Sequence, residues 1–171
     1  MTNENGRIAP MSSALANLEK LVRCESPSED LAACKKVLQL ANEIAISELG
    51  SPAEIHDVKG RPIFWWGAKR PKVLLLTHLD TVWPIGSFEP IWQIDGDVLR
   101  GPGTFDMKVG FIQALYAIKD LNEAIGKKLV ADNVALIATT DEEIGSHASR
   151  DLIMELSKIS SAVLVLEASL D

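Results

Sequence analysis

Three apolar runs constrain this chain more than anything else in it: KVLLLT at 72–77, NVALIATT at 133–140 and SAVLVLEAS at 161–169. Each is too short for an ordinary helix and lacks the polar alternation of a half-buried strand, so each reads as a strand covered on both faces. The stretches between them have helical period. MKVGFIQALYAIKDLNEAIG carries Phe111, Leu115, Ile118 and Leu121 or Ile125 on one face, and a further helix is expected through SRDLIMELSK. Alternating strands and helices of this kind predict an α/β fold, a mixed and largely parallel sheet with helices on both faces.

Upstream of the first run, SSALANLEKLVRC has Leu15, Leu18, Leu21 and Val22 at helical spacing. ESPSED then interrupts it at Pro27, with Ser28 expected to cap a second helix that stops at Gly50. AEIHDV and RPIFWWG read as two strands around the turn KG. IWQIDGDVLRG carries a hairpin signal at Asp95 and Gly96. Phe64, Trp65 and Trp66 are expected in sheet packing, and Cys24 and Cys34 as buried, reduced thiols. There is no repeat and no linker, so one domain is expected from residue 11 onward, behind a flexible tail at 1–10.

The 171 residues carry a formal net charge of −7, which argues against a nucleic-acid surface or an anionic membrane. No apolar run approaches the roughly 18 residues of a membrane span, and the start lacks a secretory pattern. The expected setting is cytoplasmic, with small molecules or peptides as partners.

The ends of the three apolar runs hold the chemistry. The first leads into His78 and Asp80, the second into Asp141, Glu142 and Glu143, and the third ends in Glu167. Residues i and i+2 of a strand point the same way, so His78 and Asp80 share surroundings. Asp106 lies in GPGTFDMKVG, a glycine-shaped loop before a helix. Taken singly, each acid fits a solvated loop or a helix N-terminus and His78 fits a core position. Together they aim at one edge, because sites in open α/β sheets gather beyond the carboxyl ends of parallel strands. Crowded carboxylates repel one another unless a cation joins them, and imidazole with carboxylate oxygens suits zinc or a related metal. The adjacent Glu142 and Glu143 can then divide two jobs, one on the metal and one as general base toward water. His56 and His147 have no such support and are expected as surface or structural residues.

THLDTVWP, GPGTFDMKVG, TTDEEIGS and VLEAS, in this order and spacing, resemble the M20 family of zinc metallopeptidases, near its glutamate carboxypeptidase and acetylornithine deacetylase branches. The likeness runs from SPSED to the last residue. It implies that Asp106 bridges two zinc ions, that His78 and Glu167 complete one site, and that Glu143 holds the other. It further implies Glu142 as the general base and Asp80 as the residue that orients His78. Cobalt or manganese would also suit such ligands. The implied reaction is hydrolysis of an amide bond in a small peptide or N-acyl amino acid. Family members continue past the last carboxylate strand into a dimerisation and lid domain and then to a final histidine ligand. The expectation is therefore a partial, truncated catalytic domain with the dimerisation and lid domain absent. The alternative is a catalytically inactive module that keeps the fold, binds at most one metal and acts in association. Homo-oligomers through an exposed sheet edge are expected under either reading.

Overall fold

A computed structural model describes residues 11–168; the expected N-terminal tail lies outside the described residues. The elements are α1 (Met11–Arg23), α2 (Leu31–Leu49), β1 (Glu54–Val58), β2 (Arg61–Gly67), β3 (Val73–His78), β4 (Gln93–Asp95), β5 (Val98–Arg100), α3 (Val109–Ile125), α4 (Lys127–Asn133), β6 (Val134–Thr139), α5 (Arg150–Ile159) and β7 (Ala162–Val165). Five strands form one sheet in the order β1-β2-β6-β3-β7, and β4 and β5 form a separate hairpin. β3 runs parallel to both β6 and β7, whereas β1 and β2 join antiparallel. The mixed, largely parallel α/β sheet is the expected one.

Alternation along the strands divides the core between two faces. Phe64, Trp66, Leu75 and Leu136 pack with α1 to α4, on residues such as Leu21, Leu38, Phe111 and Leu115. Ile63, Trp65, Leu74 and Ile137 face the opposite way, toward Leu156 of α5. Phe64, Trp65 and Trp66 are therefore sheet packing. Both cysteines are buried and unpaired, and burial pushes the Cys34 thiol up to about 11.

Four local expectations change. Asp30, not Ser28, caps α2, accepting from the backbone N–H groups of Ala32 and Ala33, because Asp30 sits in the extended conformation that a cap requires. The hairpin turn is Gly96–Asp97, one residue on, since Asp95 already pairs with Val98. On α3, Leu121 and Ile125 are exposed, and the buried stripe continues through Asn122. The third apolar run is the sheet's outer strand, with Leu164 and Val165 exposed, so it is not covered on both faces. α2 does end as expected: Gly50 takes φ +75, the left-handed geometry that spares glycine a Cβ clash, and returns its N–H to Ile46 O. The short α4 has no counterpart in the sequence reading. No described helix is long and apolar enough to cross a membrane.

Candidate metal site

β6, β3 and β7 are neighbours, parallel and in register, so their carboxyl ends lie side by side at one edge. His78 is the last residue of β3 and is level with Thr139 of β6; Leu76 is level with Val165 of β7. Glu167, two residues past Val165, comes level with His78, and the loop after Thr139 supplies Glu142 and Glu143. Strand spacing thus brings Glu142 and Glu167 to one imidazole.

His78 is buried, and its two nitrogens face different partners. Nδ1 lies 3.1 Å from the Asp80 carbonyl oxygen and 3.4 Å from Asp80 Oδ1. Nε2 lies 2.9 Å from Asp106 Oδ1, 3.4 Å from Glu167 Oε1 and 3.7 Å from Glu142 Oε2. Asp80 is fully buried. Its Oδ2 accepts from the Ser28 hydroxyl at 2.7 Å and from the Glu143 N–H at 3.2 Å. Its Oδ1 has no hydrogen-bond partner and faces His78 Nδ1.

Asp106 arrives from the other side of the cleft, on the turn Thr104–Lys108 that opens α3. Its φ and ψ of −115° and 100° break the helical path, which turns the carboxylate toward His78. Lys108 anchors the turn. Its side chain is fully buried, and Nζ donates to Leu21 O at 3.0 Å and Cys24 O at 3.1 Å, the last carbonyls of α1 and the residue beyond it. Burial, against nearby negative groups, pulls the Lys108 ammonium down to about 8.

The electrostatics follow from this crowding. Burial opposes charge on His78, yet the Asp80 carboxylate beside Nδ1, with the charges of Glu167 and Glu142, outweighs it and pushes the imidazole up to about 9. Burial raises Glu167, His78 opposes, and Asp106 and Glu142 add to the rise, leaving it at about 6. Burial and Asp106 likewise raise Glu143.

One ligand atom each from His78, Asp106 and Glu167 lies within 4.8 Å of the others. The residues fit a zinc-type cation: the donors are imidazole nitrogen and carboxylate oxygen, and a cation among them would quiet the repulsion among the acids. Glu142 faces the same cavity of about 160 Å³ as His78 and Glu167, whereas Glu143 opens into a neighbouring one with Asp106. Glu143 is outside the three-residue cluster. His56 sits on β1 beside Glu54 and His147 is exposed, so neither joins it. The sequence reading gave no site role to Ser28 or Lys108. The available signals were small polar residues packed into SPSED and a lone lysine amid the apolar start of α3.

Residues 74–169 match the model of Peptidase family M20/M25/M40. Over 114 residues the chain is 35% identical to carboxypeptidase G2 of Pseudomonas sp. (strain RS-16), covering 66% of this chain and 25% of that protein. An M20 family metallo-carboxypeptidase of Sulfolobus solfataricus, Sso-CP2, shares the fold with a TM-score of 0.72 at 26% identity, over 92% of this chain and 38% of that one. Human carnosine dipeptidase 1 resembles it in fold alone, with a TM-score of 0.60 at 19% identity over 90% of this chain and 38% of that one. The chain thus spans a quarter of the length of the curated relative it matches.

Proposed function

The chain belongs to peptidase family M20/M25/M40, and from that membership and the geometry above we propose that it carries part of the catalytic domain of a metal-dependent peptidase. The reaction is hydrolysis of an amide bond in a small peptide or N-acyl amino acid, of carboxypeptidase or deacylase type. The observation that carries this reading is the His78–Asp106–Glu167 cluster, three ligand atoms within 4.8 Å at the carboxyl edge of the sheet.

Zinc is the metal proposed; His78, Asp106 and Glu167 would hold it, and Glu143, which opens into the neighbouring cavity with Asp106, would hold a second. When bound, zinc supplies Lewis acidity toward a carbonyl oxygen and toward water. Asp80 fixes the ring of His78 through Nδ1, leaving Nε2 to the metal. Glu142, not needed as a ligand, takes the proton of the attacking water at its carboxylate and passes it to the leaving amine. Leu76, Met107, Ile153 and Val165 give the cavity beside His78 an apolar lining.

The test is zinc titration of the chain by calorimetry, paired with hydrolysis of N-acyl dipeptides by the full-length protein. The expected results are tight zinc binding that Asp106→Ala removes, and turnover that a chelator stops and zinc restores. A chain indifferent to zinc would sink the proposal. The non-catalytic module draws on one observation, the exposed outer strand β7 with Leu164 and Val165 open to association. Zinc binding without any metal-dependent turnover would favour it.

A further inference from the structure

The cavity into which Asp106 and Glu143 open has an apolar wall that the proposed reaction does not use. It measures about 320 Å³, the lower end of small-molecule sites, and is lined by Val82, Trp83, Phe88 and Phe105 together with Asp106 and Glu143. Phe105 is 65% exposed, Val82 59% and Trp83 45%. Exposed apolar side chains gathered in one place are a frequent mark of a binding site.

The walls are built rather than incidental. Trp83 and Phe88 meet edge to face with ring centroids 5.0 Å apart, which holds both rings. Val82 and Trp83 leave a fixed point, because Thr81 is bonded through its N–H to Ser26 O and through its carbonyl to the Ser28 N–H. Phe105 is the residue before Asp106, so its ring and the candidate ligand ride on one short turn.

We propose that Val82, Trp83, Phe88 and Phe105 form an apolar subsite that receives an uncharged aromatic or large aliphatic side chain of the substrate, beside the metal cluster. The proposal rests on the peptidase reading and narrows its substrate class. Charge selects the occupant. No lysine, arginine or histidine lines the cavity among the described residues, and its two charged groups are the carboxylates of Asp106 and Glu143. In the metal-free chain an acidic side chain entering here meets like charge, and in either state no cationic side chain lines the walls to pair it, whereas an apolar one covers exposed rings.

The experiment titrates the chain, with and without zinc, with N-acetyl-L-phenylalanine and N-acetyl-L-glutamate in a calorimeter. The phenylalanine derivative is expected to bind at least about tenfold tighter, an effect the size of one well-placed apolar group. Phe105→Ala and Trp83→Ala should each cut that ratio about fivefold or more while circular dichroism stays unchanged. Equal affinities, no binding of either probe, or a ratio unmoved in both variants would overturn the subsite. Zinc titration of the same samples separates the two claims. A wild-type chain that fails to hold zinc sinks the peptidase reading, and the zinc-free ratio still decides the subsite. A dimer in sedimentation velocity that both variants dissolve, with the ratio unmoved, would assign the patch to a second copy instead.

Discussion

The hydroxyl of Ser28 donates to Oδ2 of Asp80 at 2.7 Å, across 52 residues of sequence and in a fully buried setting. The bond ties the connection between α1 and α2 to Asp80, whose carboxylate lies 3.4 Å from His78 Nδ1. The same connection is zipped to the strand end by Ser26, whose hydroxyl donates to Leu79 O at 2.6 Å and whose carbonyl accepts from the Thr81 N–H at 2.9 Å. Lys108 bonds the end of α1 from the other side. One irregular segment therefore mounts both Asp80 and the turn that carries Asp106.

Ser28→Ala should accordingly destabilise the chain by about 1.5 to 3 kcal/mol, the usual cost of deleting a hydrogen bond to a charged, buried group. Asp80 would keep the Glu143 N–H on Oδ2 but lose its shorter partner. Urea unfolding measures this directly, and a change under about 0.5 kcal/mol would mean that the bond contributes little.

Zinc affinity should depend steeply on pH, because the metal needs His78 neutral and Glu167 ionised. With His78 at about 9 and Glu167 at about 6, one proton is displaced between pH 6 and 9, so apparent affinity should rise about tenfold per pH unit there and more steeply below 6. Without metal the trend reverses. Both folded pKa values lie above their unfolded ones, so the His78 contribution is fully present below about pH 6.5 and is lost as pH rises through 9. The Glu167 contribution is likewise lost from about pH 4.5 through 6. Competition titrations and metal-free melts from pH 5 to 9 would check both; a flat zinc profile contradicts the assignment of His78 as a ligand.

The three apolar runs were enough to read the strands and the edge on which the site sits, because a continuous aliphatic stretch of five or six residues has few other uses. Chain order does not fix sheet order, so the apolar AVLVLE reads both as a strand covered on two faces and as an exposed edge needing cover. Topology decides for the edge, with Leu164 and Val165 exposed. His78, Asp106 and Glu167 were legible as candidates, being polar groups at the ends of apolar runs or in a glycine-shaped loop. The expected cap Ser28 is not the cap of α2, because Ser and Asp suit that position alike and the backbone angles of Asp30 decide between them. Lys108 was silent because its partners are backbone carbonyls, which no side-chain pattern announces.

Gly110→Ala should weaken metal binding from a distance. A Cβ at Gly110 would stand 2.3 Å from Leu166 O and 3.2 Å from Leu166 Cβ, and Leu166 immediately precedes Glu167. Alanine gains up to about 1 kcal/mol of helix propensity. Overpacking against backbone costs about 1 to 3 kcal/mol, so the strand end must yield. Displacing Glu167 in this way should lower zinc affinity about tenfold or more, the scale seen when a ligand's support is disturbed. Unchanged affinity, read by calorimetry, would show that Glu167 is not a ligand or that β7 shifts freely.

The last prediction divides Glu142 from Glu143. Glu142 Oε2 faces His78 Nε2 at 3.7 Å in the cavity shared with Glu167, but the atoms gathered within 4.8 Å belong to His78, Asp106 and Glu167. On the proposed reading Glu142 would transfer a proton beside the metal rather than hold it. Glu143 opens with Asp106 into the neighbouring cavity, where burial and Asp106 raise its carboxyl and a cation would lower it again. In the full-length protein Glu142→Gln should keep its zinc and lose turnover by about a hundredfold or more, the usual contribution of a general base. Glu143→Gln should lose part of the metal first, with turnover falling in proportion and recovering at high zinc. In the chain alone, one zinc should bind tightly at the three-residue cluster and a second weakly, and Glu143→Gln should affect only the second. Metal content by emission spectroscopy, read beside rate, decides the matter: two variants alike in both quantities would leave no division of labour between the two glutamates.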